Sequence, residues 1–257
     1  EVGRSPYPLA GGADIVFQIG TAKSGVRTAD GLLSDDKLRE VAAHEQVRLF
    51  ELKMSEGAKP GKGGILPGIK VTAEIAAIRG IPEGEDSISP NRHPEIDNAG
   101  QMLDMINRIR SVTGKPVGFK AVIGAYGWLE TLCAEIHARG IESAPDFITV
   151  DGGDGGTGAA PMALMDNVGL TVRESLPLVV DILVRYGLRE RIRVFVSGKL
   201  VTPSEVAWAL ASGADFVTSA RGFMFSIGCI QALKCNKNTG PTGITTHNKR
   251  VQRGLNP

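Results

Sequence analysis

Residues 192–222 read IRVFVSGKLVTPSEVAWALASGADFVTSARG. Two short runs, IRVFVS at 192–197 and ADFVTS at 214–219, are rich in β-branched and aromatic residues, as strands buried on both faces are. Between them Thr202 stands as an N-cap, Pro203 takes the first helical position, Glu205 completes a capping box and Gly213 marks the stop. Strand, helix and strand in that order make a parallel βαβ unit. Each strand ends in small residues and a cation, Ser197-Gly198-Lys199 and Ser219-Ala220-Arg221-Gly222. In a (β/α)8 barrel the loops after the last two strands commonly bind phosphate, because small residues let backbone N–H groups approach the anion. No G-x-G-x-x-G follows the first strand, which counts against a dinucleotide-binding doubly wound sheet.

The same rhythm extends towards the N-terminus. Further strands are expected at 14–19, 47–54, 117–123 and 146–151, and amphipathic helices at 35–43, 72–79, 98–112, 128–139 and 172–186, with the capped helix at 203–212. That makes six strands where a closed barrel needs eight. The reading is therefore an α/β chain, a TIM (β/α)8 barrel lacking its first strands, which would lie upstream of Glu1. No repeat, low-complexity tract or break in composition divides the chain, so residues 1–257 read as one domain. Its parts are an N-terminal part at 1–46, a βα core at 47–228 and a C-terminal extension at 229–257.

Of the 257 residues, 42% are hydrophobic and 22% charged, and no apolar stretch is long enough for a membrane span, so a disordered chain and a membrane-spanning one are both excluded. The net charge is +1 and no long run of like charges occurs, which argues for small-molecule partners and against nucleic acid. Three cysteines form no disulfide framework, so reduced thiols in a cytoplasmic compartment are expected. The chain starts at Glu1 without a Met, leaving an upstream targeting or membrane segment outside this reading. The 33 glycines imply many special turns.

Three segments carry candidate chemistry. Residues 53–68, KMSEGAKPGKGGILPG, follow a strand directly, and 57–68 hold five glycines and two prolines with Lys59 and Lys62 as cations. Such a loop suits a carboxylate or phosphate, or it is a mobile surface loop with solvated lysines. Lys120 sits among Val, Phe, Ala, Val and Ile, where a lysine must pair or face a polar cavity. It either faces a ligand anion in a barrel mouth or pairs with Glu51 or Asp151, and Lys53, on one face with Glu51, carries the same two readings. Residues 151–158, DGGDGGTG, let backbone run flush against a planar or phosphorylated ligand, or form a strained connector. The alternating oxygen ligands of a calcium loop, closed by a Glu, are absent there. His93 is a proton donor near the mouth or a structural loop residue.

KMSEGAKPGKGG at 53–64, Leu66-Pro67-Gly68, Ile78-Arg79, Asp86-Ser87-Ile88-Ser89-Pro90, Asp151 to Gly158 and Gly228-Cys229 to Gly243 resemble the flavin domain of glutamate synthase, in order from about residue 47 to 246. Ser5 to Asp30 is similar to the stand-alone glutamate-synthase-like flavoproteins. The resemblance implies an FMN-binding barrel that reduces 2-iminoglutarate, formed from 2-oxoglutarate and ammonia, to L-glutamate, with an electron donor or a glutaminase as partner protein. By resemblance, Lys59 and Arg79 are the substrate-carboxylate clamps, Glu56 lies beside the substrate, and Lys53 and Lys120 are flavin-side cations. Gly153, Gly155, Gly156 and Thr157, with Ser197, Gly198, Lys199, Ala220 and Arg221, surround the ribityl chain and phosphate.

The sequence departs from that pattern in three ways. The family holds an iron–sulfur cluster with cysteines spaced C-x5-C-x4-C, but after Cys229 and Cys235 the third position is Gly240, and two thiolates cannot supply three iron ligands. No stable cluster and no metal are expected, and Cys133 reads as a buried small hydrophobe. Glu56 replaces the family's Gln and adds negative charge beside a dianionic substrate. The loop Gly124-Ala125-Tyr126-Gly127-Trp128 lacks the acidic residue of the large enzyme. Two alternatives remain open, a flavin-dependent oxidoreductase of another amino or hydroxy acid and a non-catalytic flavin-binding module.

Overall fold

The computed structural model describes residues 4–54, 64–154 and 160–254. Its strands are β1 (Ile15–Ile19), β2 (Val47–Lys53), β3 (Ile65–Leu66), β4 (Ser87–Ile88), β5 (Val117–Val122), β6 (Phe147–Asp151), β7 (Arg193–Ser197) and β8 (Phe216–Thr218). Its α-helices are α1 (Tyr7–Ala10), α2 (Asp35–Ala42), α3 (Ala73–Arg79), α4 (Ala99–Thr113), α5 (Gly127–Arg139), α6 (Val172–Arg185), α7 (Pro203–Ala211), α8 (Ala220–Ser226) and α9 (Lys249–Gln252). All six strands expected from the sequence are present, within two residues at each end. The antiparallel β3–β4 pair and the short helices α1, α8 and α9 are additions.

β1, β2, β5, β6, β7 and β8 form one parallel sheet whose spatial order follows the chain order. A doubly wound sheet reverses direction at a switch point; this one does not, as a barrel wall does not. The register pairs Lys53 with Lys120, Val122 with Asp151, Asp151 with Ser197 and Ser197 with Thr218, so the C-terminal strand ends come level with one another.

Alternation sorts the strand residues between two layers. Phe50, Leu52, Phe119, Ile148, Val150, Val194 and Val196 are buried in a core shared with α2, α4, α5 and α6. The opposite set includes Gln18, Glu51, Lys53, Lys120, Thr149 and Asp151. Glu51 is buried and accepts hydrogen bonds from Gln18 Nε2 and Thr149 Oγ1. In the same set Phe147 stacks on Phe195, and Phe216 of the edge strand is 62% exposed. Gly118 has no room for a side chain, since a Cβ there would come within 2.3 Å of the Phe147 carbonyl oxygen.

The N-terminal strand ends are stitched by carboxylates. Asp146 accepts from the Val117 N–H at 2.8 Å and pairs with Arg110 at 3.0 Å and Arg191 at 3.1 Å. Asp215 accepts from the Val194 N–H at 2.7 Å and pairs with Arg189 at 2.9 Å. The capping box of α7 forms as expected, with Thr202 and Glu205 bonded reciprocally. Among the described residues no helix is long and apolar enough to cross a membrane.

Candidate active site

The level C-terminal strand ends open into a cavity of about 380 Å³. Lys53, Lys120 and Asp151 line it from β2, β5 and β6, and the residues following β7 and β8, Gly198-Lys199-Leu200 and Ser219-Ala220-Arg221, line it from the other side. The two segments that suggested a barrel from sequence therefore meet in one opening. Of the two partners open to Lys120, the structure selects Asp151, whose Oδ2 lies 3.0 Å from the Lys120 Nζ. Both side chains are mostly buried, and the pair gives a strand lysine its partner at the cavity wall.

Glycines let the loops after β6 and β7 lean together. Gly198 has φ +139°, and a Cβ there would sit 3.0 Å from the Gly152 Cα. The Ser219 hydroxyl donates to the Leu200 carbonyl and ties the β8 loop to the β7 loop. Gly153 stands behind this wall. A Cβ on it would come within 2.5 Å of Gly169, and its N–H donates to the Leu170 carbonyl, so its lack of a side chain serves loop packing.

Lys53 lines the cavity, and its carbonyl oxygen lies 2.7 Å from the Nε2 of His93, which is 1% exposed. That nitrogen must carry a proton to bond a carbonyl. Of the two roles open to His93, this contact is the structural one, since the ring fastens the loop at 90–96 to the end of β2. Sequence reading missed Lys23, which is 2% exposed and pairs with Glu95 at 2.9 Å. Burial alone would raise the Glu95 carboxyl, but the hydrogen bond from Lys23, a backbone hydrogen bond and the neighbouring charge together outweigh it and hold that group below its ordinary value. A lysine in the loop sequence GTAKSG gave no sign of burial.

Arg79, expected at the substrate end, lines a separate opening of about 810 Å³ with Arg27 and Lys37. The Arg27 guanidinium donates to the carbonyls of Arg79 at 3.3 Å and Gly80 at 2.9 Å. The structure thus brings together Lys53, Lys120, Ser197, Gly198, Lys199, Ala220 and Arg221, and not Arg79. Glu56, Lys59, Gly155, Gly156 and Thr157 lie outside the described residues.

Cys229, Cys235 and Gly240 line the same cavity as the cations. Gly240 is buried, and a Cβ on it would meet the Thr245 Oγ1 at 2.4 Å. The residues present do not fit a three-thiolate cluster, because a threonine hydroxyl fills the space beside the third position. Cys133 is buried in the core, where loss of hydration pushes its thiol up to about 11.

The family model described as the conserved region in glutamate synthase matches residues 1–257. This chain belongs to the glutamate synthase family. It is 46% identical over 255 residues to the glutamate synthase large subunit-like protein YerD of Bacillus subtilis, covering 99% of this chain and 48% of that protein. It is 34% identical over 254 residues to the archaeal glutamate synthase (NADPH) of Methanocaldococcus jannaschii, covering 98% and 46%. The glutamate synthase (NADPH) large chain of Bacillus subtilis is 31% identical over 215 residues, which are 83% of this chain and 14% of that one. The chain spans about half the length of the first two relatives. Among solved structures, a flavocytochrome b2 variant with benzoylformate superposes with a TM-score of 0.51 at 17% identity, covering 88% of this chain and 48% of that one. That likeness concerns fold alone, and this glutamate synthase family member is an α/β protein whose described residues form six parallel strands of a (β/α)8 barrel wall, fewer than the eight of a closed barrel.

Proposed function

We propose that residues 1–257 are one FMN-binding barrel domain of a flavin-dependent oxidoreductase, and that it reduces 2-iminoglutarate, formed from 2-oxoglutarate and ammonia, to L-glutamate. The observation that carries this reading is the meeting of Ser197-Gly198-Lys199 and Ser219-Ala220-Arg221 with Lys53 and Lys120 around one cavity. The donor set there fits a phosphorylated flavin. Hydroxyls, an ammonium, a guanidinium and glycine backbone suit a phosphate, and two further lysines stand across the opening. When bound, FMN supplies the hydride chemistry.

The chain's own residues hold and orient. Lys199 and Arg221 bind the phosphate, with Ser197, Gly198 and Ala220 beside it. Lys53 and Lys120 stabilise negative charge on the flavin, and Asp151 holds the Lys120 ammonium in place. Gly155, Gly156 and Thr157 complete the flavin loop by family resemblance, with Gly153 supporting it through its packing on Gly169. By the family resemblance Lys59 clamps a substrate carboxylate and Glu56 serves the substrate, while Arg79, in the opening it shares with Arg27 and Lys37, stands apart from this cavity. An electron donor and a source of ammonia act with the domain, as small molecules or as partner proteins.

Glu56 favours a second reading, a different amino or hydroxy acid as substrate, since a carboxylate beside a dicarboxylate repels it. One preparation tests both. Purified full-length protein should show a flavin absorption spectrum, and after anaerobic reduction the flavin should be reoxidised by 2-oxoglutarate plus ammonium. Colourless protein that refuses FMN ends the proposal. Flavin reoxidised only by other oxo acids selects the second substrate class, and flavin that stays reduced with every acid marks a non-catalytic module.

A further inference from the structure

We propose that Asp166 is a resident counter-ion for Lys199, which Lys199 exchanges for the phosphate of the incoming cofactor, so that this carboxylate lowers affinity for phosphorylated ligands. The inference rests on the flavin reading above and adds a residue that neither the sequence motifs nor the resemblance singled out. Lys199 Nζ lies 2.7 Å from Asp166 Oδ1. Lys199 is among the residues that line the cavity and Asp166 is not, so the ion pair engages the ammonium with a group outside the lining.

Both residues hold left-handed backbone, Lys199 at φ +48° and Asp166 at φ +70°. Aspartate tolerates that region and lysine rarely enters it, so the surroundings must impose it. The fastenings are visible on both sides. The Asp166 N–H donates to the Gly153 carbonyl at 3.2 Å, and the Gly153 N–H donates to the Leu170 carbonyl at 2.8 Å. On the lysine side Gly198 is wedged against Gly152, and the Leu200 carbonyl takes the Ser219 hydroxyl. The two backbones are thereby anchored to neighbouring loops. The lysine side chain is the part left to move.

The exchange favours phosphate on elementary grounds. Lys199 and Asp166 are 36% and 46% exposed, and an ion pair that open to water is weak and screened by salt. A phosphate brings up to two negative charges and three acceptor oxygens against the single charge of a carboxylate. A ligand without phosphate offers Lys199 nothing in return and leaves the pair intact. The pair therefore keeps Lys199 occupied until a phosphorylated ligand arrives and discriminates for the phosphate end of the cofactor.

The test uses full-length protein freed of flavin, with affinity read by quenching of flavin fluorescence for FMN and for riboflavin, its phosphate-free counterpart. Asp166→Asn keeps the shape and the left-handed tolerance and removes the charge. It should tighten FMN by about two- to fivefold at low salt, the range open to an exposed pair, and leave riboflavin unchanged. Lys199→Met should weaken FMN, and adding Asp166→Asn to it should change nothing more. The proposal is overturned if Asp166→Asn leaves FMN affinity unchanged or lower, if it shifts riboflavin equally, or if the gain persists without Lys199. Wild-type protein that does not bind FMN ends both this proposal and the flavin reading; wild-type protein that binds FMN with no response to Asp166→Asn ends this one alone.

Discussion

The two ends of the sheet use charge in opposite ways. At the N-terminal ends, Asp146 and Asp215 each gather a strand N–H and at least one guanidinium, so each of these two carboxylates is bonded several times over. At the C-terminal ends, Lys120 and Lys199 each hold one carboxylate, and glycines replace side chains between them. A charge bonded many times fixes structure, whereas a charge with a single partner can change partners. In (β/α)8 barrels stability residues gather at the first end and chemistry at the second, and the ion pairs of this chain divide along the same line, with the proposed flavin site at the second.

Substitutions at graded heights between the two ends put that contrast at risk. Asp146→Ala leaves the Val117 N–H without its acceptor and removes the carboxylate from Arg110 and Arg191, which keep only backbone carbonyls and Asn107, and should cost about 3 kcal/mol of unfolding free energy in a denaturant titration. Its refolded fraction should bind FMN normally. Loss of FMN affinity without loss of stability would contradict the division. Glu51→Leu lies midway and leaves the buried Thr149 hydroxyl without its acceptor. About 2 kcal/mol of stability should go, with a change in FMN affinity smaller than threefold. Lys120→Met, at the mouth, should invert the pattern, weakening FMN about tenfold while stability moves by less than about 1 kcal/mol. If Lys120→Met instead unfolds the protein and leaves affinity alone, the Lys120–Asp151 pair is structural and belongs with Asp146.

The strands of the sheet were legible because short β-branched and aromatic runs, one face of each packed in the core, recur six times between helix-period segments. The cap of α7 was legible because its signal is local, four residues long and fixed by backbone hydrogen bonding. The β3–β4 pair was not, since two residues per strand carry no alternation to detect. The mouth was half legible. Ser197-Gly198-Lys199 and Ser219-Ala220-Arg221 announce themselves through small residues beside a cation at a strand end. Asp166 does not, because its partner is 33 residues away and its neighbours, Met165 and Asn167, resemble any surface turn. Lys23 was hidden for the same reason, as its burial depends on Glu95, far along the chain. Arg79 entered only through resemblance, and the structure puts it in a separate opening with Arg27 and Lys37, which no sequence signal pointed to.

The threonine beside Gly240 constrains how this corner can change over evolutionary time. A cysteine introduced at Gly240 alone would collide with the Thr245 hydroxyl before any sulfur could reach Cys229 and Cys235, so the first step of that route is a penalty with no return. Either the Thr245 hydroxyl must turn aside or the residue must be trimmed before a side chain fits at Gly240. Engineering a third thiol here is best begun from Gly240→Cys with Thr245→Ala, which removes the clashing oxygen.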